Sequence, residues 1–160
     1  MNTMKLPGGK LTLGIVAALC CFLFSACEYE VPITSRPTRS VDEKLLGNWM
    51  SEDGKENFKV RRLDNSIYIV SYNGDLFRAY HSDVAGTPFV SVQNLDSAER
   101  KYVYLTWKLS EDGKRLSLRV VNDKVIPIKT KGSAGVQKLL KKNLQNPDLL
   151  EHETQFTKAE

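Results

Sequence analysis

The strictest alternation of apolar and polar positions in the chain runs from Lys101 to Leu109. Val103, Leu105, Trp107 and Leu109 fall on one face of an extended segment, and Tyr102, Tyr104, Thr106 and Lys108 on the other. A period of two is the mark of a strand with one buried side. The same period recurs on either side. Leu116, Leu118 and Val120 alternate with Arg115, Ser117 and Arg119, and Phe58 and Val60 with Lys59 and Arg61. Phe77, Ala79 and His81 alternate with Leu76, Arg78 and Tyr80. Leu45 to Met50, Ser66 to Tyr72, Phe89 to Gln93 and Val125 to Ile128 supply further strand candidates. Between them stand turn residues: Asp53-Gly54, Asp64-Asn65, Asn73-Gly74-Asp75, Ala85-Gly86, Asp112-Gly113 and Asn122-Asp123. Asx-Gly pairs supply the positive backbone angles of tight hairpins. Seven or eight short strands so punctuated predict an antiparallel meander. Closure into a barrel buries its apolar face and leaves no free edge.

Near the C-terminus the period changes. Val136, Leu139, Leu140 and Leu144 recur at helical spacing after Ser133, a candidate cap, with lysines 138, 141 and 142 mostly elsewhere. Those lysines read as a solvated face. Asn146-Pro147-Asp148 has the form of a second cap, and Thr154 to Lys158 around Phe156 suits a short closing strand. The predicted fold class is therefore mainly β: an antiparallel meander closed into a barrel, with a C-terminal α-helix.

The first 26 residues follow another pattern. Lys5 and Lys10 give a positive start without acids, and Leu11 to Ala26 is uncharged over 16 residues. That run is short of the ~20 apolar residues a membrane span requires, and its form is that of a secretory signal peptide. The exit, Phe24-Ser25-Ala26-Cys27, resembles the lipobox of bacterial lipoproteins, with Phe24 standing where leucine is usual. Cys20 and Cys21 lack a small residue immediately ahead of them. The resemblance implies cleavage before Cys27, a diacylglyceryl-type (palmitate-bearing) anchor on it, and a place in the cell envelope. Glu28 where retention signals carry Asp implies the outer membrane. The alternative is an uncleaved anchor helix with Cys27 an ordinary thiol.

Cleavage would leave Cys27 as the single cysteine, so the domain would hold no internal disulfide and no cysteine metal cluster. It would also leave 134 residues at net charge +2, without the clear basic excess of a nucleic-acid binder. Residues 27–42 follow, with Pro32, Pro37, Thr34, Thr38, Arg36 and Arg39. That composition predicts a solvated tether, in which residues 28–41 reach at most about 45–50 Å when extended. Residues 43–160 form the predicted domain.

Gly47-Asn48-Trp49 on the first strand, the meander and the late helix together resemble the lipocalin and lipocalin-like barrels. A second lipocalin motif, of Thr-Asp-Tyr type, is missing. The larger outline also resembles small envelope lipoproteins of bacteria. The lipocalin resemblance implies an eight-stranded calyx with room for a small apolar ligand, one end closed by Trp49. The pocket candidates are Trp49, Val103, Leu105, Trp107, Leu116 and Leu118, with Trp49 read first as a structural plug. No enzyme motif stands out: neither a G-x-S-x-G elbow, a phosphate-binding glycine loop nor H-E-x-x-H occurs. His81 and His152 lie far apart in sequence without ligand spacing around them, and the acids of the Ser-Glu-Asp-Gly-Lys stretches read as turn chemistry. The expectation is a non-catalytic binding module without metal or cofactor. The competing reading is an envelope interaction subunit or inhibitor, docking through a face of Tyr102, Tyr104 and Thr106 with Tyr68, Val70 and Tyr72.

Overall fold

The computed structural model describes residues 28–159. Eight strands close on one another in chain order: β1 (Gly47–Ser51), β2 (Asn57–Arg62), β3 (Tyr68–Tyr72), β4 (Asp75–His81), β5 (Val90–Asn94), β6 (Tyr102–Leu109), β7 (Arg115–Val120) and β8 (Thr154–Ala159). Every pairing is antiparallel, and β8 meets β1 through Trp49 opposite Lys158. Helix α1 (Gly132–Asn143) lies in the connection from β7 to β8. The mainly β class, the closed barrel and the C-terminal helix are those the alternation predicts.

Local chemistry explains the corners. Ser51-Glu52-Asp53-Gly54-Lys55 joins β1 to β2, and the identical stretch Ser110-Glu111-Asp112-Gly113-Lys114 joins β6 to β7. Both fold alike. The serine hydroxyl donates to the aspartate carboxylate, the glycine N–H donates to the serine carbonyl, and the lysine N–H donates to the same carboxylate. Glycine takes φ +69° in each, a region other residues avoid. These hydrogen bonds hold the exposed Asp53 carboxyl at about 2 and Asp112 below its usual range.

The alternating faces divide into two cores. Phe58, Val60, Val70, Phe77, Ala79, Val92, Leu105, Leu116 and Phe156 are among the residues packed inside the barrel. A second core lies on its outer side, where Tyr102 and Tyr104 of β6 meet Val136 and Leu140 of α1, together with Phe89, Val121 and Leu149. Tyr29 and Ile33 complete that layer.

Their presence corrects the expected tether. Tyr29 exchanges two backbone hydrogen bonds of 2.7 Å with Tyr102, and its ring stacks on Tyr104 at 3.9 Å. Its hydroxyl donates to the Ile126 carbonyl. Ile33 is fully buried; its N–H donates to Ser91 Oγ and its carbonyl accepts from Gln137 Nε2. Farther on, the Thr38 N–H donates to the His81 carbonyl and the Val41 N–H to the Asn65 carbonyl. Residues 28–41 are thus a strap laid along the barrel. Prolines and hydroxyl residues make a poor helix or strand but can follow a surface. Here the strap's backbone groups find partners among side chains and carbonyls already present there.

Three smaller differences have the same origin. Val125–Ile128 is not a strand: the Val125 and Ile126 N–H groups both turn back to the Asn122 carbonyl, and Pro127 cannot donate to a ladder. Ser133 lies inside α1 rather than capping it; its hydroxyl donates to the Pro32 carbonyl of the strap, and Lys131 takes the cap position. Leu45 belongs to a 3-10 turn (Glu43–Leu45) capped by Asp42, and β1 starts two residues later.

Candidate functional site

A small apolar cavity of about 40 Å³ lies inside the barrel. Leu105 and Trp107 of β6 and Leu118 of β7 stand in its wall, three of the six residues expected there. The rest of the wall comes from Leu45, Phe58, Val60, Tyr68, Val70, Ala79 and Val92. Phe58, Val60 and Ala79 follow from the alternation of their strands. Tyr68 and Val70 do not, because a run of β-branched and aromatic residues has no polar face to set its direction. They point inward with Tyr72, whereas Tyr102 and Tyr104 point outward beneath the strap. The expected tyrosine docking face is therefore divided between the two cores.

The other three expected residues pack elsewhere. Trp49 is fully buried and its indole N–H donates to the Leu45 carbonyl at 2.9 Å. Lys158 Nζ lies 5.4 Å from the centre of its ring and donates to the Lys44 carbonyl. This tryptophan ties the 3-10 turn and the last strand together and is not among the residues lining the cavity. Leu116 pairs with Leu109 and Phe156, and Val103 pairs with Val92. Both are buried without reaching the cavity wall. Cys27 lies outside the described residues.

One polar cluster adjoins the wall. On the inward side of β4, His81 follows Ala79 by two residues and packs edge-on against Trp107 (4.7 Å between centroids) and Tyr68 (5.8 Å). Tyr68 and Trp107 are themselves edge-to-face at 5.5 Å. Tyr68 Oη accepts from the Asp42 N–H at 2.6 Å and lies 3.1 Å from His81 Nε2. Burial pushes the Tyr68 hydroxyl up to about 12. Burial also pushes the imidazole below its ordinary value; the Arg39 charge works in the same direction, while Asp83 and Asp42 oppose it. Both groups are therefore neutral near pH 7. Nothing in the sequence joined His81 to Tyr68, since the contact depends on the register of β3 with β4, which places Tyr68 opposite Ala79.

A ligand pocket for a drug-sized molecule has roughly 300–1,000 Å³, and a cavity of about 40 Å³ is far below that. Side chains fill most of the barrel. The remaining space suits an apolar group of a few heavy atoms, since its walls offer little to water. Of the residues lining it, Trp107 alone is half-buried and the others are buried. Among the described residues, no three His, Cys, Asp or Glu side chains converge on one point. No protein-family model matches the chain, and neither a curated protein nor a solved structure matches it.

Proposed function

We propose that this chain is a lipid-anchored protein of the bacterial cell envelope, held in the outer membrane through Cys27, whose barrel is a non-catalytic binding module for a small apolar group. The observation that carries the binding reading is the wholly apolar cavity inside the barrel. Its volume narrows the ligand to a slender one: the end of an alkyl chain fits, and a whole lipid does not. Half-buried Trp107 is the side chain whose rotation would widen access.

The binding half is tested with n-pentane and methyl-labelled protein. Val60, Val70, Val92, Leu105 and Leu118 methyl resonances should shift together, while Val121, Val136 and Leu140 of the outer core stay unmoved. Equal shifts in both cores, or none in either, count against it. The anchor is tested separately with a fatty-acid analogue. Label incorporated into the wild type should vanish in Cys27→Ala, and its persistence would remove the anchor from the proposal.

A further inference from the structure

The strap fixes where the N-terminal end of the described chain leaves the barrel. All neighbouring strands are antiparallel, so the end of β5 and the start of β6 share a rim with the β1–β2 and β3–β4 turns. Tyr29 is bound to that rim, exchanging two backbone hydrogen bonds with Tyr102, the first residue of β6. Lys101, one residue earlier, pairs with Glu99 and has its Nζ 3.7 Å from Glu28 Oε2. Behind this attachment, the Pro32 and Ile33 carbonyls accept from Ser133 and Gln137 of α1. Cys27 immediately precedes Glu28, and two residues of extended chain span about 7 Å at most. The reach of about 45–50 Å that a free tether would have is therefore taken up by packing.

We propose that the lipid on Cys27 holds the barrel on a short leash, with the β5–β6 rim resting on the headgroup layer of the bilayer and the opposite rim turned to water. This rests on the anchor proposed above and adds the face that meets the membrane. Around the attachment, the acids Glu28, Glu30 and Glu99 stand with the bases Arg100 and Lys101, and all but Lys101 are exposed. A patch drawn to anionic lipid is polybasic, whereas this mixture suits a zwitterionic phospholipid surface. The chain, not charge, keeps the rim in place. Near the opposite rim stand three residues of the cavity wall: Leu45 ahead of β1, Tyr68 at the start of β3 and Trp107 near the end of β6. Half-buried Trp107 thus belongs to the aqueous end of the barrel.

The test measures energy transfer from a thiol-linked donor dye to a headgroup-labelled acceptor lipid. The acylated protein, purified from membranes, is placed in phosphatidylcholine–phosphatidylethanolamine vesicles. Ala98→Cys puts the dye on an exposed position of the β5–β6 loop, and Glu111→Cys puts it on the β6–β7 turn at the other rim. Eight residues of β6, at about 3.3 Å each and a tilt of about 40°, separate the rims by roughly 20 Å. Transfer from Ala98→Cys should therefore exceed that from Glu111→Cys by roughly twofold or more, in low salt and in about 0.5 M salt alike. An insert of about ten Gly and Ser residues between Cys27 and Glu28, reaching roughly 15–20 Å, should abolish the difference. Equal transfer from the two positions without the insert, or more from Glu111→Cys, overturns the orientation and leaves the anchor standing. A difference that survives the insert, or that salt removes, assigns the orientation to surface attraction and overturns the short leash. Wild type, with its Cys27 thiol acylated, should take no dye; dye on wild-type Cys27 removes the anchor and this inference together.

Discussion

Replacing Ile33 by alanine distinguishes a packed strap from a solvated tether with a single measurement. In a tether the change removes a few methyl groups from water and alters stability by a few tenths of a kcal/mol at most. In the structure Ile33 is fully buried in the outer core. Its backbone bonds to Ser91 and Gln137 survive the substitution, since both use main-chain atoms of residue 33. What is lost is apolar side-chain packing, and buried isoleucine-to-alanine changes cost about 2–5 kcal/mol. For a folded unit of this size, 1 kcal/mol corresponds to about 3 °C in Tm, so the expected drop is about 6–15 °C. Calorimetry and urea unfolding of the processed domain measure it, with the exposed Arg36 replaced by alanine as the control on the same segment. An Ile33→Ala variant melting within about 1 °C of wild type would refute the strap.

Three further outcomes follow from individual residues. Gly47 has φ +146°, and a Cβ there would lie 2.7 Å from Lys158 Cε; Gly47→Ala should cost about 1–3 kcal/mol in urea unfolding, mostly from the backbone, since the lysine tip can move. Ala79→Val adds two methyl-sized groups to a strand position in the cavity wall, so it should leave Tm unchanged or raise it by up to a few degrees while abolishing n-pentane shifts; undiminished shifts would place the probe elsewhere. Because the folded imidazole of His81 resists protonation, the unfolded chain binds the extra proton first. The His81 contribution is whole above about pH 6.5 and is lost as pH falls from there toward the folded value. Arg39, Asp83 and Asp42 all face this group, and the carboxyls of Asp53, Asp64, Asp112 and Glu153, held below their usual values, titrate lower still. Urea midpoints at pH 7.5 and 5 should therefore converge in His81→Phe, and an unchanged pH difference would contradict this.

Much of the barrel was legible because its determinants are local. Alternation from Val103 to Leu109 needs only the residues themselves, and the two Ser-Glu-Asp-Gly-Lys turns carry their hydrogen bonds within six residues. Tyr68 and Val70 were misplaced because neighbours of equal hydrophobicity do not say which face is inside; only pairing with β2 and β4 does. The strap was illegible for a related reason. Proline, threonine and arginine in residues 31–39 compose a solvated linker by every local measure, and what fixes them lies 43 to 104 positions away, with His81, Ser82, Ser91, Tyr104, Ser133 and Gln137 among the partners. A surface-following segment has no periodicity of its own, because its partners supply the pattern. Of the candidate site, the hydrophobic half of the wall could be read and the His81–Tyr68 contact could not.

The strap also changes what the barrel's closed appearance means. Its first residues are fastened to Tyr102 and Tyr104 on the outer side, and its last ones reach the histidine cluster. The Thr38 N–H holds the His81 carbonyl, and the Asp42 N–H holds the Tyr68 hydroxyl from below the wall. That second bond takes one lone pair of the tyrosine oxygen and leaves the rest of the hydroxyl's hydrogen-bonding capacity for His81 Nε2. The same Asp42 caps the 3-10 turn that brings Leu45 into the cavity wall, and the Leu45 carbonyl in turn receives the Trp49 indole. Segments that looked like tether, turn and plug in sequence therefore act on one end of one cavity. Loosening the strap near Thr38 would release the His81 carbonyl and, through Asp42, the Tyr68 hydroxyl, while the eight-stranded ladder stayed intact.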